Sequence, residues 1–344
     1  MAVEAPPPPA GLVASRPPLP FPAPTFVTAR CQPSPFPSYL DEREGFMLCS
    51  EGSGRAWHAI RPLRKCQYGT VLQAIEVVQR DGGDWVYEGT RFAIKEMLLE
   101  RIERHRGSNE DPLKEVAVLQ YLMTEGHHPN VMNVTEALRD DAKIYIVMPF
   151  CDGGELFDVV AERGRMSEAE ARPLFRQLVE GMGFIQGRGI CHRDMSLENL
   201  MLTRHETEMS LVVVIDFGMA LRCPQGPGGT NLRITPQGAC GKNNYMTPEV
   251  MLNEEAFDGF AVDIWACGII LFIMLTGIPP FEVPLPNHDA RCNVICVQGQ
   301  LAALLENWQM QLSPDATNLI QGCLWLNPAR RPTLDQLRRH PWLQ

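Results

Sequence analysis

Lysine is nearly missing from this chain: only Lys65, Lys95, Lys114, Lys143 and Lys242 occur, against 26 arginines. A generic surface cation is therefore written as arginine, and each lysine raises the question of whether a compact ammonium is required. Positive charge is also outweighed. The net charge of -10 argues against nonspecific nucleic-acid binding or an anionic membrane surface as the main partner. The N-terminus is proline-rich and lacks a basic segment followed by an apolar one, so no signal peptide is expected. No apolar run reaches the ~20 residues that span a bilayer. The run from Ile264 to Ile278 is interrupted by Gly268 and preceded by Asp263, and reads as a buried core helix. The 11 cysteines are odd in number and scattered, which fits reduced thiols in a cytoplasmic or nuclear protein better than a disulfide framework. Cys292 and Cys296 have no second pair at metal-ligand spacing, so zinc is not expected. No internal repeat is visible.

What is present is a chain of 344 residues, 45% hydrophobic and 21% charged, enough for one large or two smaller globular domains. Residues 1–37 hold 12 prolines and are expected to be disordered with polyproline II character. They are either a passive tail or a docking segment for a proline-recognising domain. Residues 38–54, with Glu51-Gly52-Ser53-Gly54, read as a linker. Strands are predicted around Val71 to Val78, at Arg91 to Lys95 and at Ile144 to Met148. A helix is predicted over 111–123, with Pro112 in its first turn. From Gly153-Gly154 onward the pattern turns helical. Ser167 with Glu170 and Thr333 with Gln336 form capping boxes. Further helices are predicted over 263–275 and 313–325.

Two polar segments carry candidate chemistry. Ile190 to Leu202 places His192, Arg193, Asp194, Ser196 and Asn199 between apolar runs, and Leu211 to Ile215 leads into Asp216-Phe217-Gly218. Taken alone, the first is equally a solvated loop. Together, Asp194, Asn199 and Asp216 are hard oxygen donors suited to Mg²⁺, which takes few protein ligands alongside substrate phosphates. Lys95 ends an apolar strand and suits phosphate oxygens, with Glu115 placed to hold it.

In this order the residues resemble the eukaryotic protein kinase family from about residue 57 to 343. The resemblance is carried by Phe92-Ala93-Ile94-Lys95, Glu115, His128-Pro129-Asn130, His192-Arg193-Asp194, Asn199, Asp216-Phe217-Gly218, Met246-Thr247-Pro248-Glu249, Asp263-Ile264-Trp265 and Arg331-Pro332. It implies an α+β bilobal fold over residues 55–344, with a small antiparallel β-sheet lobe to about residue 150 and a larger helical lobe from 151. It also implies ATP and Mg²⁺ as cofactors and a serine/threonine kinase activity on protein substrates. Lys95 would hold the α and β phosphates, oriented by Glu115. Asp194 would take the substrate hydroxyl's proton, with Asn199 and Asp216 holding metal. Gly69 is the last glycine of the phosphate loop. Val71, Ala93 and Met201 match the adenine sandwich, Met148 the gatekeeper, and Phe150 and Cys151 the hinge. Glu249 with Arg331 resembles the family's buried ion pair. The groups most alike are the calcium/calmodulin-dependent and stress-responsive kinases, though no calmodulin-binding tail is expected after Gln344. Glu155 and Glu198 match carboxylates that read basic residues near a phosphosite. A monomer is expected.

Departures bear on activity. Arg64-Lys65-Cys66-Gln67-Tyr68-Gly69 keeps only the last glycine of the phosphate loop, which impedes close approach of backbone to phosphate, although Arg64 or Lys65 offers compensating charge. Ser196 stands where these kinases place a lysine, and Lys242 where they place a threonine. The two positions normally touch, so the pair reads as an exchange that brings the Lys242 ammonium to the γ-phosphate. Thr230 and Thr235 are candidate activating phosphosites for Arg193 to pair with. The expected reading is an active kinase. The rival is a pseudokinase that binds or scaffolds, and a small-molecule phosphotransferase is disfavoured by the Thr247-Pro248-Glu249 segment.

Overall fold

The computed structural model describes residues 15–37, 39–40, 45–105, 111–124, 126–204, 210–226 and 232–344. The first described residues form a short strand β1 (Ser15–Arg16), followed by β2 (Val27–Pro33), β3 (Phe46–Ser50), β4 (Ala56–Lys65), β5 (Gly69–Gln79) and β6 (Trp85–Leu98). Helices α1 (Leu99–Arg104) and α2 (Pro112–Met123) come next, then β7 (Glu136–Arg139) and β8 (Lys143–Pro149). The strands close a barrel in the order β2-β3-β4-β5-β6-β8-β7, sealed by parallel pairing of Val27 with Leu138 and Thr28 with Arg139. Closure leaves no bare edge on this lobe. Leu48, Trp57, Leu72, Ala74, Ile94 and Val147 fill its interior. Because strand side chains alternate, Ile94 facing inward sends Ala93 and Lys95 to the opposite face.

Two expectations are corrected here. Residues 1–37 are not disordered throughout, because Thr25 to Gln32 is free of proline and folds into β2 with Pro33 at its last position. Composition averaged over the segment hid that stretch. Nor are residues 38–54 a linker: Met47 and Leu48 are buried in β3, and Glu51 to Gly54 is the hairpin turn into β4, with Gly54 at φ +73° donating its N–H to the Ser50 carbonyl at 3.1 Å. These turn residues mark a corner within one folded unit instead of a boundary between domains. The barrel therefore begins well before residue 55, with β2 at Val27.

The second lobe is helical. It opens with β9 (Gly154–Glu155), α3 (Leu156–Arg163) and the long α4 (Glu168–Gly187), whose capping box joins Ser167 and Glu170 as predicted. After four short strands, β10 (Ile190–Cys191), β11 (Leu200–Thr203), β12 (Leu211–Val214) and β13 (Leu221–Arg222), come β14 (Arg233–Ile234), α5 (Pro248–Leu252) and the central α6 (Gly259–Thr276). Helix α6 is long and apolar enough to cross a membrane, yet 94% of it is buried inside the protein, as a core helix should be. Gly268 explains its interruption: a Cβ there would lie 2.5 Å from the Cβ of Cys323, so glycine lets the helix Pro314–Cys323 pack directly on α6.

Arg331 closes this lobe. Its fully buried side chain meets Glu249 at 2.6 and 3.1 Å and also donates to the carbonyls of Trp325, Ala261 and Leu326. Removing one partner of a buried pair leaves the other charge uncompensated. Arg331→Met should therefore cost about 3–5 kcal/mol, read as a lowered urea midpoint, and an unchanged midpoint would refute that role.

Candidate active site

Helix α2 starts because Asp111 caps it, accepting the N–H groups of Leu113 and Lys114 at 2.9 and 3.3 Å, and Pro112 fits its first position. Its buried face of Val116, Leu119 and Leu122 packs into the main core and sets the position of Glu115. Glu115 accepts a hydrogen bond from Lys95 Nζ at 2.6 Å, with both side chains almost wholly buried. Burial alone would lower the Lys95 pKa. The carboxylates of Glu115 and Asp216 outweigh it and hold the ammonium above its ordinary range.

The loop after β10 is anchored from below. Buried Asp263 on α6 accepts the backbone N–H groups of His192 and Arg193 at 2.8 and 2.9 Å, fixing Arg193 in the left-handed conformation at φ +69°. Burial pushes the Asp263 carboxyl up to about 6, against the opposing pull of His192 and the two N–H donors. His192 Nε2 lies 3.0 Å from the Ile215 carbonyl. A carbonyl only accepts, so Nε2 carries a proton, and Nδ1 lies 3.4 Å from the Asp194 backbone nitrogen. Asn199 donates through Nδ2 to the Asp194 carbonyl and to its Oδ2, at 2.6 and 2.9 Å. Asp216, at φ +63°, accepts the Gly218 N–H at 3.3 Å.

These surroundings drive the two aspartates apart. Burial raises the Asp194 carboxyl, opposed first by Lys242 and then by His192. Burial also acts on Asp216, but Lys95, the Gly218 N–H, His192 and Lys242 together take it below its ordinary value. One carboxyl is thus suited to proton transfer and the other to permanent charge.

The remaining predicted positions fall around the same cleft. Val71 pairs with Lys95 across β5 and β6, and Ala93 with Met148 across β6 and β8. Met148 and Met201 pack against the cluster of Met132, Cys151 and Val213. Phe150 places its ring 5.6 Å beneath the Arg91 guanidinium, so its side chain serves the lobe connection. Ser196 is fully buried and lies 2.5 Å from Lys242 Nζ, which also stands 3.5 Å from Glu198. The predicted contact between the exchanged pair is therefore formed.

The phosphate loop holds what sequence reasoning missed. Cys66 and Gly69 exchange backbone hydrogen bonds of 2.9 and 3.3 Å, making a two-residue hairpin tip of Gln67 and Tyr68. The Tyr68 ring is buried with Met97, Ile102 and Val116. Arg64 meets Glu155 at 2.6 Å, bridging the two lobes. No local pattern could announce a pair 91 positions apart. Thr235 follows β14, whereas Thr230 lies outside the described residues.

A β-barrel lobe and a helical lobe together bring a buried lysine–glutamate pair within electrostatic reach of Asp216, which in turn acts on Asp194, the partner of Asn199, an arrangement suited to holding phosphate groups. Comparison of sequences agrees. Residues 65–343 match the family model for the protein kinase domain. Among curated proteins, CBL-interacting protein kinase 31 of Oryza sativa subsp. japonica is 34% identical over 252 residues, covering 73% of this chain and 51% of the relative. CBL-interacting serine/threonine-protein kinase 26 of Arabidopsis thaliana is 35% identical over 256 residues, 74% of this chain and 53% of that protein. The chain belongs to the protein kinase family. It spans about half the length of the curated relatives it matches.

Gly69 tests the packing of this loop. A Cβ there would stand 1.9 Å from the Glu96 carbonyl oxygen, which belongs to the neighbouring strand and cannot yield. Gly69→Ala should destabilise the small lobe by about 1–3 kcal/mol, seen as a lowered urea midpoint, and an unaltered midpoint would show that the backbone relaxes freely.

Proposed function

We propose that the chain is an ATP-dependent serine/threonine protein kinase. The observation that carries this reading is the 2.6 Å Lys95–Glu115 pair, with Asp216 among the charges acting on Lys95. An ammonium held charged in a buried site suits phosphate oxygens, and catalysis of phosphoryl transfer is chiefly positioning and charge neutralisation. Asp194 accepts the proton of the substrate hydroxyl as its oxygen bonds the γ-phosphorus, and the bond to the β–γ bridging oxygen breaks to release ADP. Asn199 spends Nδ2 on Asp194 and keeps its Oδ1 as an acceptor, and the Asp216 carboxyl is held below its ordinary value; these two hard donors would hold Mg²⁺. The ion's chemistry there is neutralisation of phosphate charge. The preference for a hydroxyl of serine or threonine is supported by the Arabidopsis relative, a serine/threonine-protein kinase by name, and by Leu197-Glu198-Asn199 after the aspartate.

Lys242 completes the reading. Its ammonium lowers the Asp194 carboxyl and lies at Ser196, where it reaches toward the transferred phosphate from the activation segment, the stretch between Asp216 and Glu249. Glu155 and Glu198 are already partnered by Arg64 and Lys242, so a preference for basic peptides loses the two acceptors expected to read it.

Two observations favour a second reading, a pseudokinase scaffold. The closed Cys66–Gly69 hairpin and the Arg64–Glu155 bridge restrict the phosphate side of the cleft. Transfer of ³²P from ATP to a generic protein substrate separates the two: Asp194→Ala should cut turnover about 10²–10⁴-fold. Absence of any Asp194-dependent transfer, together with no thermal shift on adding Mg²⁺ and ATP, would establish the scaffold.

The pH profile tests Lys242 separately. A general base must be ionised, so kcat/KM falls as pH drops through the Asp194 pKa, which lies above the ordinary 3.8. Removing the first-named cation that stabilises its anion raises that pKa further. Lys242→Met should move the acid limb to higher pH, and a limb that stays in place would sink the assignment.

A further inference from the structure

We propose that residues 15–26 are a positioning strap that holds α2 and the activation segment in their catalytic arrangement, an inference that rests on the kinase reading for its activity arm. The segment touches each movable part in turn. Ser15 and Arg16 pair in parallel with Arg233 and Ile234 of β14, and the Thr235 N–H donates to the Arg16 carbonyl at 3.0 Å. Leu19 then donates its N–H to the Arg222 carbonyl at 2.9 Å, six residues after Asp216. The Arg222 guanidinium lies 4.8 Å over the Tyr121 ring of α2, and Phe21 packs edge-on against the same ring at 5.8 Å. Thr25 and Gln120 close a reciprocal pair, backbone N–H to Oε1 at 2.9 Å and Nε2 to the Thr25 carbonyl at 2.7 Å. Two residues later the chain enters β2 and the barrel, fixing one end of the strap.

The sequence suits this task. Prolines 17, 18, 20, 22 and 24 carry no N–H, so the segment crosses a protein surface with few donors to satisfy, and polyproline II backbone loses little entropy on docking. Helix α2 needs such support. Its 12 residues are at the length where an isolated helix is marginal, and it carries Glu115 on one face while Gln120 and Tyr121 lie about 140° and 240° around the axis. The core therefore grips the inner face and the strap grips the outer. Withdrawal of the strap frees α2 to move Glu115 off Lys95. The family model match begins at residue 65, so the strap lies outside the matched span. Residues 1–37 read from composition as either a passive tail or a docking segment, and within them Arg16 and Leu19 bond to Ile234, Thr235 and Arg222 of the same chain.

The test uses the full chain, a deletion of residues 1–22 that keeps β2, and the single variants Phe21→Ala and Phe21→Leu. Hydrogen exchange in α2 and at 232–238 should quicken at least tenfold in the deletion and in Phe21→Ala, with strands β3 to β5 unchanged. The same two variants should lose kcat 5–150-fold, the range of an intramolecular coupling of this kind. KM for the protein substrate should hold, Phe21→Leu should keep most of the activity, and a synthetic peptide of residues 12–26 should restore the deletion in trans. Unchanged exchange in α2 overturns the strap whether or not the chain phosphorylates anything. Faster exchange with unchanged kcat overturns its positioning role. If the deletion also loosens the barrel, the Phe21 pair alone decides, since that side chain lies outside the barrel interior. Absence of transfer in the full chain defeats the kinase reading while leaving the exchange result to stand for the strap.

Discussion

The buried Lys95–Glu115 pair is the constraint around which the molecule is arranged. Two opposite charges 2.6 Å apart and almost without solvent repay their desolvation only while the geometry is kept. That geometry depends on two elements that share no covalent proximity: β6, fixed by the barrel, and α2, fixed by packing. Everything beyond it follows from keeping α2 in place. The barrel immobilises Lys95 through Ile94, whose side chain is buried in its interior. The main core holds Val116 and Leu119. Asp216 adds a third charge to the group, brought there by β12 and by a backbone turn that needs positive φ.

What was legible in the sequence was local. His192, Asp194 and Asn199 sit within eight residues, Lys95 ends a run of strand-like residues, and Glu115 falls in a helix with a readable cap, so their order alone identified the family. The capping boxes at Ser167 and Thr333 formed as read because both partners lie within one turn. Averages failed where structure changes over a few residues. The proline count concealed β2, and a cluster of turn residues concealed a hairpin. Pairings between distant residues were invisible: Arg64 with Glu155, Thr25 with Gln120 and β2 with β7. Each joins residues whose individual contexts are those of ordinary surface positions. The Ser196–Lys242 contact is the exception. It was legible because lysine is so scarce here that its placement carries information.

That exchange has a physical consequence for control. An ammonium carried on the loop of Asp194 would be placed whenever that loop is placed, since Asp263 anchors its backbone directly. An ammonium carried at position 242 is placed only when the activation segment is folded against the loop. Gly241 shows how close that fit is: at φ +91°, a Cβ there would lie 3.0 Å from the Arg193 carbonyl. Buried Ser196 then acts as the receiving group, holding Nζ at 2.5 Å beside the base. In the proposed mechanism, order in the activation segment is thereby a condition of the charge at Asp194, because Lys242 is the first of the influences that oppose its burial. The strap from residues 15–26 pairs with β14 in that same segment. One extension of the chain thus acts on both halves of the site: on Glu115 through the back of α2, and on Lys242 through the segment that delivers it.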